Sequence, residues 1–167
     1  NRTLTLPDEA GTILTTATSG VPIGGPAFRA TRSASQQVIT TSTNTKVQFN
    51  LESFDTNSCF DSTTNYRFTP NVAGYYQLNS FLQIDGFASG NIEILIYKNG
   101  AAISFSNVGP AGVVYPVVGI SDVLYANGST DYFEIYVTQN SGSNKNIYAG
   151  GAPVYCWFSG SMTRSAT

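Results

Sequence analysis

Short segments of alternating apolar and polar residues, separated by glycine, asparagine and proline, run through almost the whole sequence. Residues 92–97 form a β-branched run that stops at Asn99-Gly100, a pair typical of tight hairpin turns. The apolar spacing that marks an amphipathic helix occurs in no window of the sequence. The pattern therefore predicts an all-β chain, folded as an antiparallel sandwich or jelly roll. Further strands are predicted over residues 46–51, 74–84, 132–137 and 154–158.

The composition excludes most enzymes and nucleic-acid-binding proteins. The chain contains no His, which rules out a Ser-His-Asp triad, a Cys-His pair and a His-ligated zinc site. Only 11% of the residues are charged and the formal net charge is −2, so the basic surface that attracts nucleic acids and anionic membranes is missing. The acidic residues form no motif typical of catalysis or metal binding. We expect no catalytic residue, metal, cofactor, nucleic-acid binding or membrane insertion.

Two cysteines, Cys59 and Cys156, lie far apart in the sequence. They form one disulfide if the fold brings them together, or else they remain two free thiols. We favour free thiols, because an isolated cysteine in a strand is most often a small buried apolar residue.

Several segments resemble, in the same order, the motifs of the C1q-like globular domain. Residues 27–32 (Ala-Phe-Arg-Ala-Thr-Arg) resemble the opening strand of that family, and residues 158–160 (Phe-Ser-Gly) resemble its end. The most specific element is Phe-Thr-Pro at 68–70 followed by Gly-Tyr-Tyr at 74–76. Weaker matches lie at residues 47–50, 95–100, 123–128 and 131–135. The resemblance covers about residues 27–164 and implies a tumour-necrosis-factor-like jelly roll and a compact homotrimer.

The predicted strand over residues 74–84 has two different faces, since side chains alternate along a strand. We expect the more apolar face to lie in the core; it carries Tyr76, Leu78, Ser80 and Leu82. The other face mixes aromatic and amide side chains, which suits a contact between subunits. The residues predicted for the trimer interface are Tyr75, Gln77, Asn79 and Phe81.

The first 25 residues differ from the rest of the chain. Residues 2–14 resemble a phrase repeated in the shafts and linkers of bacteriophage tail-fibre proteins, and a Gly/Pro-rich stretch follows. So short a unit cannot bury its own apolar face without the globular domain or other copies of the chain. We divide the chain into an extended shaft or linker segment, residues 1–25, and a C1q-like jelly-roll domain, residues 26–167. Because the first residue is not Met, we expect the chain to begin within a longer polypeptide.

Together these features predict a non-enzymatic phage virion protein, the trimeric head or tip domain of a tail fibre or head fibre. The expected partners are further copies of the chain, other virion proteins bound through the upstream region, and a host surface glycan or protein. Binding residues are often found on loops held by a rigid scaffold. The loop aromatics that we expect to bind the receptor are Phe87, Tyr115 and Tyr148.

We expect the protein to be assembled in the bacterial cytoplasm and to reside in the virion. Two alternatives stay open. One is a secreted or surface-bound bacterial C1q-like adhesion or matrix module, which would lie outside the cell or on its surface. The other is a capsid decoration (cement) protein. The sequence upstream of Asn1 would distinguish a virion attachment domain from a signal peptide.

Overall fold

The computed structural model describes residues 25–33, 35–86, 89–109, 115–149 and 155–166. These residues form an all-β structure, as the sequence predicts, and contain no helix that could span a membrane. The strands in this part of the chain are β1 (Ala27–Thr31), β2 (Gln37–Ile39), β3 (Thr45–Lys46), β4 (Leu51–Asp55), β5 (Phe60–Asp61), β6 (Arg67–Phe68), β7 (Ala73–Asp85), β8 (Ile92–Lys98), β9 (Ala101–Val108), β10 (Val117–Asn127), β11 (Phe133–Gln139), β12 (Lys145–Ile147) and β13 (Cys156–Ser165).

The strands pair in antiparallel fashion into two sheets. The first sheet has the order β2-β12-β7-β13-β1-β4, and β10 also pairs with β7. The second sheet has the order β5-β6-β11-β8-β9, and β3 also pairs with β11. The inner faces of both sheets contribute to one buried apolar core, as in other sandwiches. The largest aromatic side chains of this core are Phe28, Phe49, Phe68, Tyr76, Phe133 and Phe158.

Strand β7 crosses the middle of the first sheet and shows the predicted alternation. Tyr76, Leu78 and Leu82 are fully buried and Ser80 is 3% exposed, so the face predicted for the core does lie there. The Tyr76 hydroxyl donates a hydrogen bond to the Val72 carbonyl oxygen at 2.6 Å. Burial raises the pKa of Tyr76 to about 12. The phenol is therefore a neutral donor at every physiological pH.

The prediction of one strand over residues 46–51 is wrong. β3 ends at Lys46 and β4 begins at Leu51, and the residues between them belong to neither strand. β3 pairs with β11 of the second sheet, whereas β4 pairs with β1 of the first. This segment crosses from one sheet to the other and buries Val47 and Phe49 on the way. The Val47 N–H still donates to the Ile135 carbonyl oxygen of β11 at 2.8 Å, and beyond it the alternation reflects burial in the core.

The hairpin between β8 and β9 is tied to the loop before β11. Asn99 and Gly100 both have positive φ, 53° and 83°, as the turn requires. The Asn99 side-chain amide donates to Asp131 Oδ1 at 2.7 Å, and Lys98 Nζ lies 2.9 Å from Asp131 Oδ2. Burial alone raises the pKa of the Asp131 carboxyl, but hydrogen bonds from Asn99, Lys98 and the Asn127 N–H hold it below its ordinary value. The carboxylate thus connects two successive hairpins.

The last strand, β13, is longer than predicted. It begins at Cys156 and continues to Ser165, well past the expected end at residue 158. Gly160 allows close packing there, because a Cβ at this position would lie 2.6 Å from the Leu78 Cδ2 atom. Cys59 and Cys156 are both buried and free. Burial raises the pKa of the Cys156 thiol to about 12, so this thiol stays protonated.

The two ends of the sandwich are formed by different segments of the chain. At one end, here called the base, Met162 N donates to the Pro26 carbonyl oxygen and Ala166 N donates to the Ala73 carbonyl oxygen. At the other end, here called the tip, the chain segments around Pro116, Tyr148 and Tyr155 hydrogen-bond to the end of β7. The base therefore holds both ends of the described chain. Residues 1–24 of the predicted N-terminal segment lie outside the described residues.

Candidate functional site

The residues predicted for the trimer interface lie in a row on the outer face of the first sheet, along β7. Tyr75 is 45% exposed, and Gln77, Asn79 and Phe81 are partly buried by their neighbours on the same sheet. The strand brings them together because residues two apart project from the same face. In the single chain this row is accessible over its whole length.

Aromatic residues of neighbouring strands extend the row on both sides. Tyr125 of β10 lies opposite Tyr75, with 5.5 Å between the ring centroids. Trp157 of β13 lies opposite Phe81, and the two rings are almost parallel at 6.3 Å. The guanidinium of Arg29 lies 5.8 Å from the Trp157 ring centroid, which is a cation–π geometry. The face is therefore broader and more aromatic than β7 alone suggests.

The centre of this face is an uncharged hydrogen-bond network. The Gln77 side-chain amide donates to Ser121 Oγ at 2.9 Å and to the Asp122 carbonyl oxygen at 3.3 Å. Ser121 Oγ donates in turn to Asn79 Oδ1 at 2.9 Å. These side chains satisfy one another within one chain, which lowers the cost of covering them with a second protein surface. We name the outer face around Tyr75, Gln77, Asn79, Phe81, Tyr125, Val123 and Trp157 the aromatic face.

A separate cavity of about 270 Å³ opens at the tip of the sandwich, beyond the end of the aromatic face. The described residues that line it are Gln83, Tyr115, Tyr148 and Tyr155. Tyr148 makes edge-to-face contacts with the other two tyrosines, at centroid distances of 6.2 Å to Tyr115 and 5.1 Å to Tyr155. Three of these four side chains end in a phenol and the fourth in an amide. We call this site the tyrosine cavity.

Two of the three predicted receptor-binding residues, Tyr115 and Tyr148, thus meet in one site, and the third, Phe87, lies outside the described residues. The residues predicted from the sequence do not include Gln83 and Tyr155 of the same cavity, nor Tyr125 and Trp157 of the aromatic face. Their contribution comes from pairings between strands distant in the sequence. These residues can be assigned to the two sites only when the order of the strands in the sheet is known.

A second, smaller cavity of about 180 Å³ lies beside β8 and β11 and is lined by polar groups. Asn140 accepts a hydrogen bond from the Asn91 N–H at 2.6 Å there. Glu93 is the one carboxylate among its described lining residues, which is too few for a Ca²⁺ site or an acid–base pair. Within the described ranges, no group of three or more Cys, Asp or Glu side chains is placed to hold a metal ion.

No family model and no curated protein matches this sequence. Solved structures do match. An Eiger TNF from S. frugiperda superposes with a TM-score of 0.61 and 8% identity, over 86% of this chain and 96% of the other. The globular domain of zebrafish complement 1qA superposes with a TM-score of 0.57 and 17% identity, over 84% of this chain and 99% of the other. The PRD1 vertex protein P5 superposes with a TM-score of 0.61 and 13% identity, over 84% of this chain and 99% of the other. At these identities the likeness shows the fold, which is a TNF/C1q-like jelly roll.

Proposed function

We propose that this chain is a non-enzymatic structural module that assembles as a homotrimer through its aromatic face. The observation that carries the proposal is the exposure of that face. Tyr75, Val123 and Tyr125 are each more than two-fifths exposed in the single chain, at 45%, 49% and 43%. Patches of this kind on a soluble protein mark interaction surfaces, and aromatic residues are enriched in them.

A closed ring of three subunits needs two different surfaces that fit each other, because each subunit contacts its neighbours head to tail. The aromatic face supplies one of them. The second, we infer, is the neighbouring edge of the sandwich, where Ile103 and Phe105 of the edge strand β9 are 43% and 69% exposed. An edge strand with exposed apolar side chains promotes aggregation unless another surface covers it.

We propose further that the trimer is the head of a phage fibre and contacts the host surface. Two observations support a phage setting: the similarity of the fold to the PRD1 vertex protein P5, and the resemblance of residues 2–14 to tail-fibre shaft sequences. The base receives the chain from residues 1–24, because Pro26 lies there beside Met162. The tip would then point away from the shaft. A non-enzymatic role agrees with the lack of His.

A second candidate function is a capsid vertex or decoration role, in which the trimer caps a lattice and touches no receptor. The similarity to a vertex protein favours it specifically. Both candidates require the trimer, and they differ in where the protein lies on the virion and whether it meets the host. Other virion proteins would attach through the upstream region in either case.

Sedimentation of the 167-residue chain tests the assembly. We expect one species of about three times 17.8 kDa at micromolar concentration; a monomer there would overturn the trimer and with it both candidates. Gold-labelled antibodies against the domain then locate it on virions by electron microscopy. Labelling at fibre tips supports the fibre head, labelling over the capsid supports decoration, and the absence of label from virions would exclude both.

A further inference from the structure

The tyrosine cavity lies at the end of the molecule that would face the host, so an inference about it rests on the proposed function. Gln83 follows Tyr75 by eight residues on β7, which places the cavity about 26 Å along the strand from the base. The polar backbone groups of Gln83 are both occupied. Its N–H donates to the Tyr155 carbonyl oxygen at 3.1 Å, and its carbonyl oxygen accepts from the Tyr148 N–H at 2.8 Å.

These backbone bonds hold two of the tyrosines on the end of a rigid strand. The Gln83 amide makes no hydrogen bond with any side chain in the described part of the protein. Tyr148 stands nearly perpendicular to its neighbours, at 71° to the Tyr115 ring and 83° to the Tyr155 ring. The rings therefore form walls around the opening instead of closing it as a flat stack.

We propose that the tyrosine cavity binds a neutral sugar residue of a surface glycan. Aromatic faces pack against the apolar C–H faces of a pyranose, and the Gln83 amide and three phenol groups offer both donors and acceptors for its hydroxyls. No Lys or Arg that would attract a phosphate or a carboxylate is among the described residues that line the cavity. The volume of about 270 Å³ lies below the about 300–1,000 Å³ of sites for drug-sized molecules, which fits one sugar unit.

One sugar unit in so open a site binds weakly, with a dissociation constant of about a millimolar or higher. Three cavities on one trimer, and several trimers on one particle, raise the apparent affinity by about 10²–10⁴ without any new contact. Attachment would therefore depend strongly on valency. An isolated trimer should compete poorly with the virion for host cells.

Saturation-transfer difference NMR on the 167-residue protein tests the proposal. The probes are the methyl glycosides of glucose, galactose, mannose and rhamnose, with N-acetylneuraminic acid as a charged comparison. We expect transfer to at least one neutral glycoside and none to the acid. Tyr148→Ala and Gln83→Ala should each reduce that transfer about fivefold or more, because each removes a wall or a hydrogen-bonding group.

The matched control is Tyr136→Ala, which removes a partly buried tyrosine that packs against another tyrosine on the outer face of the opposite sheet. It should leave the transfer unchanged. Tyr148→Phe should retain most of the transfer, since it keeps the ring. Transfer to none of the neutral glycosides, or equal loss in Tyr136→Ala, would overturn the proposal.

Sedimentation of the same variants separates failure of this inference from failure of the proposed function. If the wild-type protein is trimeric and is found on virions but binds no neutral glycoside, only the sugar site is wrong. If Tyr148→Ala dissociates the trimer, the cavity belongs to the subunit contact and the sugar proposal falls. If the wild-type protein is a monomer, the proposed function fails while the glycoside result still stands by itself.

Discussion

The outer faces of the two sheets both carry tyrosines, but they differ in how their side chains are paired. On the second sheet, Lys46 Nζ lies 2.7 Å from Glu134 Oε1, and the Arg67 guanidinium lies 4.2 Å from the Tyr132 ring centroid. Tyr97 and Tyr136 stack there with 4.0 Å between their ring centroids. On the aromatic face of the first sheet, by contrast, Tyr75, Val123 and Tyr125 project into solvent.

The difference shows which side of the sandwich is complete within one chain. In the part of the chain that the structure describes, the middle of the second sheet exposes no large apolar side chain on its outer face, so covering it with a partner would bring little gain. Among the described residues of that sheet, the large apolar side chains that are exposed both lie on its edge strand β9. β9 borders β10 of the first sheet, where Ser104 hydrogen-bonds to Asp122. Exposed apolar surface therefore runs from the aromatic face onto this edge, and Leu51 and Phe54 of β4 add to it at the opposite edge of the first sheet.

The largest expected effect comes from placing a charge on the aromatic face. Val123 is 49% exposed and lies opposite Gln77, so Val123→Lys should leave the single chain folded. In a trimer the ammonium would be buried without a partner, at a cost of several kcal/mol. We expect the concentration needed for trimer formation to rise about a hundredfold or more, as measured by sedimentation equilibrium.

Thr138→Lys is the matched control for this substitution. Thr138 lies on the outer face of the second sheet, opposite Glu93, where a new ammonium meets a carboxylate. This variant should remain trimeric. Dissociation of both variants, or of neither, would show that the two faces do not differ in the way described.

A smaller effect is expected from breaking the ion pair of the second sheet. Glu134 is 4% exposed, and Glu134→Ala leaves Lys46 without its carboxylate partner. We expect the free energy of unfolding in urea to fall by about 2 kcal/mol, because a partly buried charge loses its counterion. The trimer should persist below the unfolding transition. A variant that dissociates without losing stability would place Glu134 in the subunit contact.

The smallest effect is expected from lowering the pH, which should change the stability of the fold before it changes the contact at the aromatic face. The N–H of Thr64, together with the groups of Thr63 and Asn65, holds the pKa of the Asp61 carboxyl well below its usual range, and the pKa of Asp131 is also lowered. A carboxyl whose pKa is lowered by folding stabilises the fold above its unfolded pKa of about 3.9, and this contribution is lost as the pH falls through the folded value.

Thermal melting should therefore change little between pH 7 and about 5, and the melting temperature should fall below about pH 4. Asp131→Asn should flatten this dependence. The sedimenting mass should stay constant down to the onset of unfolding, because the described side chains at the centre of the aromatic face, Gln77, Asn79 and Ser121, do not titrate. Dissociation before unfolding would reveal a carboxylate in the subunit contact.

The sequence correctly predicts structural features that depend only on residues close together in the chain. In β7 the alternation of side chains correctly places Tyr76 in the core and Tyr75 on the outer face of the sheet. The turn at Asn99-Gly100 is likewise a local property of two residues. The same local rule fails at residues 47–50, because burial in a crossing between sheets also produces alternation.

What the sequence cannot predict is which strands become neighbours. Trp157 lies beside Phe81, and Tyr155 lies beside Gln83, only because β13 pairs with β7 across a long stretch of chain. The sequence does not predict the end of β13 for a related reason. Its polar residues after Phe158 have no apolar pattern of their own and are held by β7 and β1.

Strand β1 has a mechanical consequence. Its residues Ala27–Thr31 run from the base toward the tip and are bonded to β13 on one side and β4 on the other. Ladder hydrogen bonds lie perpendicular to the strands, so a pull between Pro26 and the tip loads them in shear, all at once, and not one after another. For β1 to slide, two ladders must break in a single step, and the rate of that step sets how long the domain withstands tension.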